Sequence, residues 1–277
     1  MKIEDNLTRL LILIIIVWII LAIVFGIYDL EISKAIVNRE SSANWANIGK
    51  SYGEAPGFGI IAVAIAIIIG SYQDDLKRQK FAAYTILMIG AVILVLAVLL
   101  GNIWFIAFGG GITGGILLFL IFAFNRDWRE LKKIAVVIIL LTIINPLIFV
   151  QITKIFCGRV RFNDLSSDYS NYTPWFLPPG PMSGLKGNAS FPSGHTSMGW
   201  MLLPLIIIVK DRKWKDPIRI TITILVISWG LYLGISRIVT GDHYASDVLF
   251  STGVAIVVTI LLYKKFYLDN DKLSKKP

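Results

Sequence analysis

The sequence predicts an all-α, polytopic helical bundle embedded in a membrane, and three observations carry that expectation. Apolar residues arrive in long runs, where a soluble domain would scatter them at helical or strand spacing. Several runs reach the roughly 18 residues that a helix needs to cross the hydrocarbon core. Charged residues sit almost wholly in the segments between them. With 56% of its 277 residues hydrophobic and a mean hydropathy of +0.71, the chain is too apolar for an ordinary soluble fold.

Eight candidate spans follow in order, at residues 7–28, 56–72, 81–100, 103–124, 134–153, 194–209, 218–236 and 244–263. The first is no removable signal peptide, because its apolar region is too long and no small-residue cleavage site follows it. Little more than Gly101 and Asn102 separates the third from the fourth, and losing that pair would leave six crossings. The second and sixth are short. Residues 29–55 mix Asp29, Glu31, Glu40 and Glu54 with Lys34, Arg39 and Lys50, and read as a solvated, interfacial helical segment. By motif content the chain divides into residues 1–133, without diagnostic motifs, a core at 134–266 in the C-terminal half, and a tail at 267–277.

The net charge of +9 does not point to nucleic acid, because the chain has no basic domain and no long Lys/Arg block. Most basic residues fall at the N-terminus, in 73–80, 125–133 and 210–217, and in the tail. The positive-inside rule places these segments and both termini in the cytoplasm. The opposite side holds Lys34, Arg39, Lys50, Lys154, Arg159, Arg161, Lys186 and Arg237, and basic residues on that unfavoured side call for an anion. The single cysteine, Cys157, permits neither an internal disulfide nor a thiolate metal cluster.

Three segments meet on the outer side if the crossings are right. Lys154-Ile-Phe-Cys-Gly-Arg159-Val-Arg161 leaves the fifth span, and Pro192-Ser193-Gly194-His195 enters the sixth. Ser236-Arg237-Ile-Val-Thr-Gly-Asp242-His243-Tyr-Ala-Ser-Asp247 joins the seventh to the eighth. Lys154, Arg161 and Arg237 suit a phosphate dianion, the guanidinium forks giving paired hydrogen bonds. The backbone N–H groups of Ser193 and Gly194, before a helix, would add to an anion cradle. His243 and Asp247, four apart on a helix, share a face. A carboxylate on one ring nitrogen would leave the other as a nucleophile, and His195 could protonate the leaving oxygen. The chain has only these two histidines. Each feature alone is commonplace at a helix end; together they describe a phosphoryl-transfer site with no metal and no cofactor.

These segments resemble the signature of the type 2 phosphatidic acid phosphatase superfamily, which includes membrane lipid phosphatases, glucose-6-phosphatase and the vanadium haloperoxidases. Its pattern is Lys, six residues and Arg-Pro; then Pro-Ser-Gly-His; then Ser-Arg, five residues, His, three residues and Asp. Lys154 to Arg161, Pro192 to His195, and Ser236-Arg237 with His243 and Asp247 fit in order and spacing. Phe162 replaces the proline, which makes Arg159 a second candidate for phosphate contact. The resemblance implies a helical core, a phosphohistidine at His243 oriented by Asp247, and His195 acting as acid and then as base. It further implies phosphate binding by Lys154, Arg161, Ser193, Gly194 and Arg237.

The substrate expected is a lipid phosphate or pyrophosphate held at the outer face: a polyprenyl pyrophosphate, phosphatidylglycerol phosphate or phosphatidate. Membrane lipids are the other expected partner, and no protein partner is inferable. Residues 162–191, with Tyr169, Tyr172, Trp175, Phe176 and four prolines, read as a specificity loop or a headgroup anchor, with Lys186 in reach of a second phosphate or of the bilayer surface. Short loops fit a prokaryotic cytoplasmic membrane. The rival readings are a lipid phosphotransferase and a sugar-phosphate phosphatase with the same site. Anion transport is disfavoured because the spans carry almost no charge.

Overall fold

A computed structural model of the chain describes residues 2–37, 43–181 and 189–269. Arg39, Glu40, Lys186, Lys272, Lys275 and Lys276 lie outside the described residues. The described residues are helical and contain no strand. In order the helices are α1 (Lys2–Ile36), α2 (Asn44–Tyr52), α3 (Ala55–Gly70), α4 (Leu76–Gln79), α5 (Phe81–Leu99) and α6 (Ile103–Ala123). Then follow α7 (Lys132–Thr142), α8 (Gln151–Cys157), α9 (Gly194–Gly199), α10 (Pro204–Ile208), α11 (Pro217–Val239) and α12 (Ala245–Tyr263). A wide-turn stretch, Ile143–Val150, joins α7 to α8 around Pro146, whose missing N–H cannot continue the regular ladder.

Seven helical runs among the described residues are long and apolar enough to cross a bilayer: Asp5–Ile36, Asn44–Gly70, Leu76–Leu99, Ile103–Ala123, Trp128–Asp164, Pro217–Val239 and Ala245–Leu268. The protein is therefore an integral membrane protein. The close pair α5 and α6 qualifies twice. Gly101, at φ +64°, makes the turn between them, and the Asn102 side chain caps α6 by accepting from the Phe105 N–H.

The sixth expected span falls short. Gly194–Ile208 covers roughly 22 Å at 1.5 Å per residue, against about 30 Å of hydrocarbon. A tight turn at Trp200–Leu202 and Pro204 interrupt it. The first span is longer than expected, because nothing breaks the helix before Val37. Asp29 consequently lies inside α1 and is buried, rather than in a solvated interfacial segment.

The chain forms two compact units. In the unit made of residues 51–142 and 198–228, α3 is central and packs on α5, α6 and α7. Small residues set that spacing: a Cβ on Gly59 would come within 2.7 Å of the Gly111 carbonyl oxygen, so α3 and α6 touch backbone to backbone. Gln79 ties two turns of this unit, donating to Asp127 and to the Gln73 carbonyl while accepting from the Trp128 N–H.

The unit made of residues 1–50, 143–197 and 229–277 pairs α1 with α12. Trp18 meets Phe250 edge-on at 5.6 Å. The isoleucines at 12, 16, 19, 20, 23 and 27 of α1 face outwards, as suits contact with acyl chains. The aromatic loop after Arg161 is spent largely on internal packing. Trp175 donates to the Ala22 carbonyl and packs against Phe250 at a tilt, 4.6 Å between ring centres, while Tyr172 and Tyr169 pack on Tyr244 and Phe162. Phe162 itself is buried with Leu165 and Tyr244, filling a small core where the family pattern has proline. Phe176 and Leu177 remain exposed.

Arg159 holds this unit together. Its guanidinium is buried between two buried carboxylates, at 2.6 Å from Asp247 and 3.0 Å from Asp29. It also donates to the Ser246 hydroxyl and the Thr173 carbonyl, and lies 3.9 Å above the Tyr244 ring. Asp29 in turn accepts from the Ser246 N–H and hydroxyl. One side chain thus links α1, the turn after α8 and the start of α12. Replacing it leaves two buried carboxylates without their cation, which costs about 3–5 kcal/mol. Arg159→Met is expected to lower the melting temperature of the detergent-solubilised protein sharply, as read by a thermal-shift assay; an unchanged transition would contradict this role.

Candidate functional site

The Pro-Ser-Gly-His segment is fixed onto α12. The Ser193 N–H donates to the Asp247 carbonyl at 3.1 Å, and the Ser251 hydroxyl donates to the Ser193 carbonyl at 2.8 Å. The Ser193 hydroxyl caps α9, accepting from the Thr196 N–H and hydroxyl. The Ser193 amide, expected in an anion cradle, is therefore engaged inside the protein. Gly194 keeps its place beside a cation, since a Cβ there would lie 3.5 Å from the Lys154 ammonium.

His243 sits in the short connection between α11 and α12. Gly241, at φ +68°, makes the turn that closes α11, and the N–H groups of Asp242 and His243 both return to the Arg237 carbonyl at 3.2 Å. The ring is buried. Its Nδ1 donates to the Ser190 carbonyl at 2.6 Å, because a carbonyl can only accept. Asp247 Oδ2 lies 3.6 Å from the same nitrogen, beyond ordinary hydrogen-bond range. Asp247 instead accepts from the Ser190 hydroxyl at 2.5 Å, the Tyr244 N–H at 2.9 Å and Arg159. The Ser190 N–H is held by the Arg159 carbonyl at 2.9 Å. The orienting contact expected directly from Asp247 is thus relayed through Ser190. Either way Nδ1 carries the proton, and Nε2 keeps its lone pair.

Burial is the main influence on His243 and pushes it down to about 4. Arg237 and Lys154 act in the same direction, against the pull of Asp247. The imidazole is neutral at pH 7.

His195, at the start of α9, contacts the Lys50 carbonyl through Nε2 at 3.2 Å. It lies close enough to Arg237, His243 and Lys154 for their charges to act on it. The two histidines therefore share one surroundings, although 48 positions separate them in the sequence.

The cations gather at Asp242. Its carboxylate lies 2.9 Å from Arg237, 3.0 Å from Lys50 and 3.8 Å from Arg161, and it accepts from the Thr240 hydroxyl at 2.8 Å. Burial opposes its ionised form, but Arg237, Thr240 and Lys50 outweigh that and hold the carboxyl below its usual range. Arg161 and Lys50 are 31% and 47% exposed, whereas Arg237 is buried, so the cluster runs from the interior to an open side. Arg159 takes no part in it. Its guanidinium is fully engaged with Asp29, Asp247, Ser246 and Thr173, so it is no second phosphate ligand.

The expected residues converge within one unit, as the motif spacing requires. Four participants escaped sequence reasoning. Asp242 stands beside His243 in the motif, and Lys50 was one of the outer basic residues. Ser190 and Asp29 gave no local signal.

Comparisons with known proteins identify the family to which these motifs point. The model of the PAP2 superfamily matches residues 135–271. Undecaprenyl-diphosphatase BcrC of Bacillus subtilis (strain 168) is 38% identical over 77 residues, covering 28% of this chain and 35% of that protein. Phospholipid phosphatase 2 of Rattus norvegicus is 33% identical over 73 residues, covering 25% of this chain and 26% of that protein. The chain thus spans about a third and a quarter of the length of these relatives. No solved structure matches it. The matched segment contains the Lys154–Arg161, Pro192–His195 and Ser236–Asp247 motifs, and residues 135–271 of the chain belong to the PAP2 superfamily.

Proposed function

We propose that this protein is a membrane phosphatase that hydrolyses a lipid phosphate or diphosphate through a phosphohistidine at His243. The observation that carries the reading is the His243 ring: neutral, with Nδ1–H fixed on Ser190, and placed among the charges of Arg237 and Lys154. A nitrogen nucleophile beside an anion-binding cluster is what phosphoryl transfer requires. The names of the two relatives, an undecaprenyl-diphosphatase and a phospholipid phosphatase, support a lipid substrate of the polyprenyl diphosphate, phosphatidylglycerol phosphate or phosphatidate kind.

In the first step Nε2 of His243 attacks phosphorus and the bond to the leaving oxygen breaks. Lys154, Arg161 and Arg237 neutralise the phosphoryl oxygens, and the Gly194 amide adds a donor. His195 protonates the leaving oxygen. Its Nε2–H stays on the Lys50 carbonyl, so the proton given in this step is that on Nδ1 of the imidazolium, a form that the bound substrate's negative charge favours. In the second step water attacks the phosphohistidine, His195 takes its proton, and inorganic phosphate leaves. Asp247 acts at one remove, by fixing Ser190 and capping α12. The basic segments favour a site at the outer face with both termini in the cytoplasm. That arrangement counts the short Gly194–Ile208 helix as a crossing, which the following Lys210, Arg212, Lys213 and Lys215 support.

The deciding experiment is a phosphate-release screen of the purified protein against detergent-dispersed lipid phosphates and diphosphates, with no acceptor added. Release from at least one is expected, and failure with every substrate would sink the proposal. His243→Ala should reduce turnover by on the order of a thousandfold or more, and His195→Ala by about 10²–10⁴. Wild-type rates in both variants would remove their roles. EDTA should leave release unchanged, since no step uses a metal; a rate restored only by Mg²⁺ would contradict the mechanism. Isotope-labelled histidine, read by NMR in a His195→Gln background, should show the His243 ring neutral and Nε2 unprotonated until the pH falls to about 4. A midpoint near 6.5 would show that burial does not control it.

A further inference from the structure

We infer that Lys50 is a substrate-binding residue that holds the phosphate on the leaving group, and so favours lipid diphosphates over monophosphates. The inference rests on the reading of His195 as the residue that protonates the leaving oxygen. Lys50 lies well before the family segment of residues 135–271 and belongs to α2.

Four contacts dock α2 beside the site. The Tyr232 hydroxyl donates to the Trp45 carbonyl at 2.8 Å, and the two rings lie 6.0 Å apart. Gly49 lies against Ser236, where a Cβ would come within 2.6 Å of the hydroxyl oxygen, so only glycine admits this approach. The Lys50 carbonyl meets His195 Nε2 at 3.2 Å. The Lys50 ammonium meets Asp242 at 3.0 Å. One residue therefore touches the proton donor through its main chain and the cation cluster through its side chain.

Position and charge then agree. The residue beside His195 is beside the leaving group. Asp242 shows that an anion can reach Lys50, Arg237 and Arg161 together. Those three cations share one carboxylate, an excess of two positive charges before Lys154 is counted. A phosphate monoester brings nearly two negative charges, and a diphosphate brings more.

The chemistry separates the substrates. His243 Nε2 forms a bond to the outer phosphorus, and the bridging P–O bond breaks with its electron pair on the departing oxygen. From a monophosphate that oxygen belongs to an alcohol, neutral once His195 has protonated it. From a diphosphate it belongs to a lipid monophosphate, which departs as an anion even after the proton arrives. A cation beside His195 matters chiefly to the second. Lys50 is half exposed, so its ammonium can move from Asp242 to that phosphate.

The test compares phosphate release from a prenyl diphosphate and the prenyl monophosphate of the same chain length, using the full-length protein in detergent. Lys50→Gln is expected to lower kcat/KM for the diphosphate by about tenfold or more, and the fall should be at least about fivefold larger than for the monophosphate. Lys50→Arg should recover most of the loss. Equal falls on the two substrates would overturn the inference, as would a Lys50→Arg variant no better than Lys50→Gln. A wild-type protein that accepts only monophosphates would overturn it too, while leaving the phosphatase reading in place. Inertness towards both would instead remove the phosphatase reading on which this one stands.

Discussion

A guanidinium buried among helices of a membrane protein must have every donor met, because neither water nor lipid supplies an acceptor there. Arg159 meets that demand with two carboxylates, a hydroxyl and a carbonyl. The planar fork suits the task, since its donors point in fixed directions and each finds a partner on a different segment. The geometry of His243 follows from this arrangement. Arg159 holds Asp247 through its side chain and the Ser190 amide through its own carbonyl, and Ser190 sets the proton on the imidazole. A charge that does not touch the imidazole thereby fixes which of its nitrogens carries the proton.

Two acidic residues five positions apart have separate duties. Asp247 is committed to Arg159, Ser190 and the end of α12, and gives its charge to the architecture. Asp242 faces the cations and keeps Arg237 and Lys50 gathered, with Arg161 within reach. Mutual repulsion among those positive groups is relieved by a carboxylate that is itself buried. The division allows a strongly positive site to persist next to apolar helices.

Much of the fold was legible in the sequence, because a bilayer crossing needs a long apolar run and such runs are local. The same holds for the motif residues: Lys154, Arg161, His195, Arg237 and His243 are recognisable by type and spacing, and they converge. What could not be read depends on pairings between distant segments. Asp29 and Ser246 are 217 positions apart, and Lys50 and Asp242 are 192 apart. Nothing near Asp29 distinguishes a solvated carboxylate from a buried one, and the helix simply runs on past the expected end of the span. Arg159 stood as a second candidate for phosphate contact for a related reason, since its partners Asp29 and Asp247 lie far away in sequence and nothing local shows its guanidinium turned inwards. Trp175, Tyr172 and Tyr169 resemble interfacial anchors by composition, and only the contacts show them packed inwards.

The distance between Asp29 and its partners has a bearing on how the chain is made. Synthesis proceeds at roughly 5–20 residues per second, so on the order of 10–40 seconds separate Asp29 from Ser246. Throughout that interval α1 carries a carboxylate whose serine partner does not yet exist, and Arg159 arrives about three-fifths of the way through. A protonated acid would ease the wait, since a neutral side chain is tolerated in lipid far better than an ion. Assembly of this unit is thus closed by its last-made helix, and its first helix must be held in readiness until then.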